Sequence, residues 1–257
     1  TSCASVTAVQ TCAPPITTIS AGTLALGNGG ITGAIAGNVT NNATLAFNRS
    51  DAAVFDGVVS GSGSVDQRGT GTTTLTGANS YTGGTTITAG TLELGKGGMT
   101  GAITGDVANS GTLAFNRSDA SIFNGVISGT GSVEQRGTGT TTLAATNTYT
   151  GGTAITAGTL ELGNGGTAGA LTGDVANSGT LAFNRSDDVA FAGIISGTGS
   201  VEQRGAGTTT LTGVNTYTGG TTISAGTLAL GNGGTTGAIT GNVTNHATLA
   251  FTRSDAT

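Results

Sequence analysis

Residues 70–95 read TGTTTLTGANSYTGGTTITAGTLELG, and the stretch returns at 138–163 as TGTTTLAATNTYTGGTAITAGTLELG and at 206–231 as AGTTTLTGVNTYTGGTTISAGTLALG. Gly22, Gly90, Gly158 and Gly226 each open a GTL triplet, so the copies recur at one constant interval throughout. A fixed internal period of this size marks one supersecondary unit stacked end to end, each copy burying its apolar face against the next.

Each unit divides into three pieces, in the first copy 22–42, 43–63 and 64–89. Every piece opens on a short alternating run: Leu24/Leu26, then Leu45/Phe47, then Val65 followed by the polar Gln67. Further short runs rich in Thr, Val and Ile follow, separated by Gly, Asn, Asp and Ser turns. Period-two alternation between such turns marks strands, and no apolar pattern recurs at 3.6 residues over a useful length. The pattern predicts an all-β chain wound as a right-handed parallel β-helix, a solenoid with three coils per repeat and about ten coils stacked at about 4.8 Å. The expected divisions are an N-terminal cap over 1–21 and the β-helix over 22–257, with repeats 22–89, 90–157 and 158–225 and a partial repeat 226–257. On this alignment one column of like residues fills the core. Leu24, Leu45 and Val65 are continued by Leu92, Leu113 and Val133 and so on to Leu228 and Leu249, with Phe47, Phe115, Phe183 and Phe251 in the second inward position.

Composition sets the outer limits. A net charge of −5, with Lys96 as the sole lysine, leaves no basic stripe to neutralise a run of phosphates, which argues against nucleic acid as a partner. No apolar run approaches the roughly 20 residues of a membrane helix. The 49 glycines show no G-x-y period and Pro14 and Pro15 are the only prolines, which removes collagen and Pro-rich linkers. Charged residues make up only 8% of the chain, so no charge repulsion holds it expanded. The segment 1–21 lacks the regions of a signal peptide and matches the repeat only from about Ile19, which suits a cap over an open strand edge. Cys3 and Cys12 admit two readings, a disulfide tying down the cap in an oxidising compartment or two unpaired thiols at a frayed end; the short loop without C-x-x-C offers no metal-site signature. The last copy stops at Thr257 in mid-repeat, as expected of a segment of a longer array.

The stretch 69–95, with its LTG-x-N-x-Y-TGGT core at 75–85 and again at 211–221, resembles the autotransporter-associated β-strand repeat found in passenger domains of Gram-negative autotransporters. The second copy departs from the pattern, with Ala145 where the others carry glycine, which weakens one turn. The likeness covers three windows, a little under a third of the chain. It implies a passenger β-helix exported by an outer-membrane translocator barrel that is not in this chain, and displayed at the cell surface or in the extracellular medium of a Gram-negative bacterium. It does not reveal a ligand, because these repeats chiefly supply the rod, and no cofactor is expected.

Residues able to carry chemistry recur in every unit: Arg49-Asp51 with Asp66-Arg68, Arg117-Asp119 with Glu134-Arg136, and Arg185-Asp187 with Glu202-Arg204. A β-helix acting on polysaccharide needs converging carboxylates beside a cation. An active site, however, is a single departure from a scaffold, whereas surface Arg–carboxylate ladders are copied with it, so no catalytic residue is assigned. The GTL register would set Asp66 beside Glu93 and Glu134 beside Glu161, like charges that need a partner. Arg68 and Arg136 can serve, or a Ca²⁺ held by Asp66, Glu93, Glu134 and Glu161. Ala229 in place of the glutamate and the lack of a G-G-x-G-x-D nonapeptide argue against calcium. Thr triplets at 72–74, 140–142 and 208–210 invite comparison with solvent-facing Thr rows that match an ice lattice, but they return only once in three coils. Asn79, Tyr81, Asn147, Tyr149, Asn215 and Tyr217 form either a contact strip for glycans or protein, or, as turn chemistry favours, Asn bonded to backbone beneath a Tyr packed over the corner. His246 takes the place of Asn42 as a solvated turn residue.

The sequence therefore predicts a non-catalytic surface rod acting as an adhesin stalk or an adhesion and aggregation module. Its expected partners are the translocator barrel, surface glycans or proteins of host or neighbouring cells, and further copies joined end to end. A secreted carbohydrate-active β-helix enzyme and a self-assembling filament subunit are the alternatives.

Overall fold

The computed structural model describes residues 16–255. Within them the chain forms 28 strands of two to four residues and no helix, and every ladder is parallel. Strands this short hold because those inside each sheet are paired on both sides. Thr44–Phe47 lies between Thr23–Leu26 and Ser64–Gln67 with Leu24, Leu45 and Val65 in register. Paired residues stand 19 to 22 apart in sequence, and that interval closes one coil. The result is a parallel β-solenoid of about twelve turns, against the ten expected. Thr17–Ile19 already pairs with Val39–Asn41, so the rod begins ahead of residue 22. Cys3, Cys12 and most of the expected cap lie outside the described residues.

The coil count per repeat also differs from the expected three, with a consequence for every surface feature. Up one face the ladder runs Leu24, Leu45, Val65, Thr85. Those three coils end at Thr85, seven positions short of Leu92, the counterpart of Leu24 in the next copy. The seven positions carry the chain round the corner at Gly90, so Leu92 stands on the next face, paired with Thr73 and Leu113. Gly90 has φ of 62°, and a Cβ there would lie 2.3 Å from the Gly71 carbonyl oxygen, so only glycine makes this corner. The third copy, Thr159–Leu162, moves on to the third face, paired with Thr140–Leu143 and Thr180–Phe183. Thr227–Leu230 of the fourth copy returns to the first. Between Ile127 and Val189 that face is carried by irregular segments, through the Thr148 N–H to Ile127 O bond, the Thr146↔Ala170 bridge and Gly193 stacked on Gly173. From Thr23 to Thr227, a span of three repeats, the ladder climbs ten coils. Each repeat is therefore three and one-third coils, about 16 Å of rise, and turns the next copy by a third of a revolution.

The single column of like residues expected from the alignment thus becomes three columns, one per face. Each runs through three apolar levels before a Thr, as in Leu92, Leu113, Val133 and Thr153. Leu45, Val65, Leu92, Leu113, Val133, Leu160, Leu181 and Val201 are fully buried, and Phe47 packs on Phe55 at 5.7 Å between ring centroids, as Phe115 does on Phe123 and Phe183 on Phe191. Each such side chain contributes about 1.5–3 kcal/mol by leaving water.

Polar residues also sit at inward positions. Asn41, Asn109 and Asn177 each donate across a coil, to the carbonyls of Ser64, Ser132 and Ser200 at 2.7–2.8 Å, and accept from a backbone N–H two residues on. Each is the last residue of its strand, and its amide serves backbone groups that the turn beyond would otherwise orphan.

Candidate functional site

Three kinds of recurrent cluster stand where the sequence suggested chemistry. The first is the fork after each TLAF strand. Arg49 donates through Nε and Nη2 to both oxygens of Asp51 at 2.9 and 2.7 Å, and through Nη1 to Gly33 O at 3.1 Å. Arg117/Asp119 and Arg185/Asp187 repeat this geometry onto Gly101 and Gly169. The hydrogen bonds from arginine hold Asp51, Asp119 and Asp187 below the usual carboxylate range. A carboxylate so held has no proton to give at neutral pH; its work here is to fix the guanidinium that pins the glycine loop of the coil.

The second cluster joins coils. Arg136 donates from Nε to Glu134 Oε2 at 2.7 Å and from Nη1 to Glu93 Oε2 at 2.6 Å, and Arg204 does the same with Glu202 and Glu161, both at 2.7 Å. In the first unit Ala25 stands where Glu93 stands in the second, and Arg68 bonds Asp66 alone. The expected neighbours are corrected by the turn of the repeats. Asp66 pairs with Ala46 and Thr86 on the first face, Glu93 and Glu134 flank Ala114 on the second, and Glu161 lies on the third. The four do not converge on one ion, and among the described residues no group of three His, Cys, Asp or Glu side chains gathers.

The third is the Asn/Tyr series. Asn79 accepts from Val59 N–H at 2.8 Å through Oδ1 and donates to Gly77 O and Ala102 O, each at 2.9 Å. Asn147 and Asn215 bond likewise. Tyr81, Tyr149 and Tyr217 are fully buried, each hydroxyl within 2.7 Å of the Thr four residues on. Burial raises all three phenols, Tyr149 and Tyr217 to about 12. The strip proposed for glycans or protein is therefore interior, because these side chains close the irregular coils where regular pairing is interrupted.

The Thr triplets fall on three different faces, and Thr73, Thr141 and Thr209 point into the core, so no flat Thr row exists in residues 72–210. His246 is exposed at its turn. Small apolar clefts recur beside the forks, one lined by Leu26, Gly33, Phe47, Arg49, Val54 and Phe55 with about 20 Å³ of room, enough for about one water. Two features escaped the sequence reading. Gln67, Gln135 and Gln203 are buried at inward positions and donate to the glycine carbonyls two and four residues on, and the 43-residue step from Glu93 to Arg136 spans two coils. The parity of Ser-Val-Glu-Gln, which puts Val133 and Gln135 on one side, was the available signal for the first.

Comparison with known proteins bears on the same segments. The Passenger-associated-transport-repeat family matches residues 66–94, 133–162 and 201–230, each running from the Asp/Glu-Gln-Arg strand through the corner to the next TL-x-L strand. The adhesin BmaC autotransporter of Brucella suis biovar 1 (strain 1330) is 49% identical over 86 residues, which is 34% of this chain and 2% of that protein, so the chain spans a small fraction of its relative's length. No solved structure matches. Carried on a parallel solenoid, these three repeats are similar to those of autotransporter passenger domains.

Proposed function

We propose that this chain is a non-catalytic length of rod from a surface-exposed, adhesin-type passenger, serving as stalk or as adhesion and aggregation module. The observation that carries this reading is the stack of all-parallel coils that continues from Thr17 to Phe251. Each repeat adds rise and buries its own core, while its arginines pair with carboxylates of the coil stack. The likeness to an adhesin autotransporter supports the same reading. Export through a translocator barrel in the same precursor and display on a Gram-negative cell surface, or release from it, follow from the passenger character. Surface glycans or proteins are the partners such a rod would meet.

The test is to display the chain on a non-adherent Gram-negative strain through a translocator barrel, then measure attachment to cells and autoaggregation beside a barrel-only control. Added attachment or clumping supports an adhesive module. Reach that increases with copy number, without attachment by the rod itself, supports a stalk. Turnover of a polysaccharide, abolished by Glu134→Gln or Asp119→Asn, would sink the proposal.

A further inference from the structure

Lys96 occupies a position unlike that of any other basic residue in the chain. It sits in the loop Gly95–Met99, where the other copies carry Asn28, Asn164 and Asn232. Lys96 through Thr100 are all exposed, and Met99 is 70% exposed. The loop is tied to the rod by two backbone bonds, from Gly97 N–H to Asn116 O at 2.8 Å and from Ser118 N–H to Gly98 O at 2.9 Å. The seven arginines are held differently. Each guanidinium lies in a salt bridge with a carboxylate two residues away. At Arg136 both N–H groups flanking the bond to Gly137 donate to Phe115 O, and the neighbouring Gln135 is buried in the core.

A serine protease of trypsin-like specificity needs a free cationic side chain for its carboxylate-floored pocket and several residues of backbone that lift off the fold. We propose that Lys96–Gly97 is the one site in the body of this rod built for such a protease. Water adds across the Lys96 C–Gly97 N bond, leaving a carboxylate on Lys96 and an amine on Gly97. The cut spares the ladder, because Thr91–Leu94 before it pairs with Thr112–Phe115 after it and Ala78 before it bridges Ala102 after it. The product is a nicked rod of unchanged length, a processing step independent of the adhesive reading.

The experiment is limited digestion of the full chain with trypsin, read by denaturing mass spectrometry and by size-exclusion chromatography under native conditions. The first cut in the rod should give fragments 1–96 and 97 onward that co-elute at the position of the uncut chain. Lys96→Asn, which restores the residue of the other copies, should slow that cut at least tenfold. Asn164→Lys should create a second site of comparable rate, showing that the loop geometry admits the protease. A first cut at any arginine from Arg49 to Arg204, an uncleaved Asn164→Lys loop, or separation of the halves on nicking would overturn the proposal.

Discussion

Arg136 reaches two coils back to Glu93, with Nη1 2.6 Å from Oε2, while its Nε holds Glu134 at 2.7 Å; Ala114, on the coil between, is fully buried beneath this bracket. The bracket accounts for alanine at 114 and, beneath Arg204, at 182, since a larger side chain would lift the guanidinium from both carboxylates. Arg136→Met should lower stability by about 2 kcal/mol, the scale of hydrogen bonds to charged partners. Ala114→Leu should do comparable damage without removing a charge. Urea midpoints of the two variants check this, and an unchanged midpoint for Ala114→Leu would refute the bracket.

The Asn147 amide supplies the acceptor for the buried N–H of Ile127 and donors for Ala145 O and Ala170 O. Asn147→Ala should cost about 1–3 kcal/mol through the unsatisfied Ile127 N–H alone. Amide hydrogen exchange at Ile127 should accelerate more than at Ile195, whose acceptor is the intact Asn215.

The tyrosines and the forks set opposite ends of the pH range. The folded-state pKa of Tyr149, about 12, lies above the ordinary phenol value near 10, so the neutral form is favoured by folding. Its contribution is whole below pH 10 and is lost as pH rises toward 12. Asp51, Asp119 and Asp187 are shifted downward by their arginines, so their contribution is whole above the ordinary carboxylate pKa and is lost as pH falls below about 4. Spectrophotometric titration should show no tyrosinate in the folded rod at pH 10.5 and its abrupt appearance on alkaline unfolding.

Gln135 donates to Gly137 O and Gly139 O from inside the core, and its Oε1 has no partner. Gln135→Glu places a carboxylate there, and burial raises its pKa. Relative to the parent chain at the same pH, the variant should lose about 3 kcal/mol at pH 8 and recover part of it toward pH 4.5, where a protonated acid again donates to glycine. Thermal melts of both proteins across that interval decide the matter, and a deficit that grows on acidification would contradict the assignment.

The turn of the repeats predicts distances. Asn28 and Asn232, three repeats apart, should lie on one face, separated along the axis by ten coils or about 48 Å. Asn28 and Lys96, one repeat apart, should be farther apart than their axial rise of about 16 Å, because they stand on different faces. Spin labels on cysteines at these pairs, with Cys3 and Cys12 replaced by serine, give both distances by pulsed EPR. Three whole coils per repeat would instead put labels at 28 and 96 within about 14–15 Å.

Much of this rod is written locally. The constant spacing of the GTL triplets, the parity of Leu24/Leu26 and Leu45/Phe47, and the glycine and asparagine turns determined strands, parallel stacking and a largely apolar interior, because strand alternation and turn chemistry act within a few residues. The GTL alignment, however, compares residues one repeat apart, whereas contacts are made one coil apart, and the two lengths are not commensurate. The seven positions left over after three coils turn each copy onto a new face. Only the closed three-dimensional circuit decided that Glu93 meets Arg136 instead of Asp66, and that Tyr81, Tyr149 and Tyr217 lie inside. Those outcomes depend on which side of the coil a residue reaches after the circuit closes, a sum over a whole turn of backbone geometry that no local pattern records.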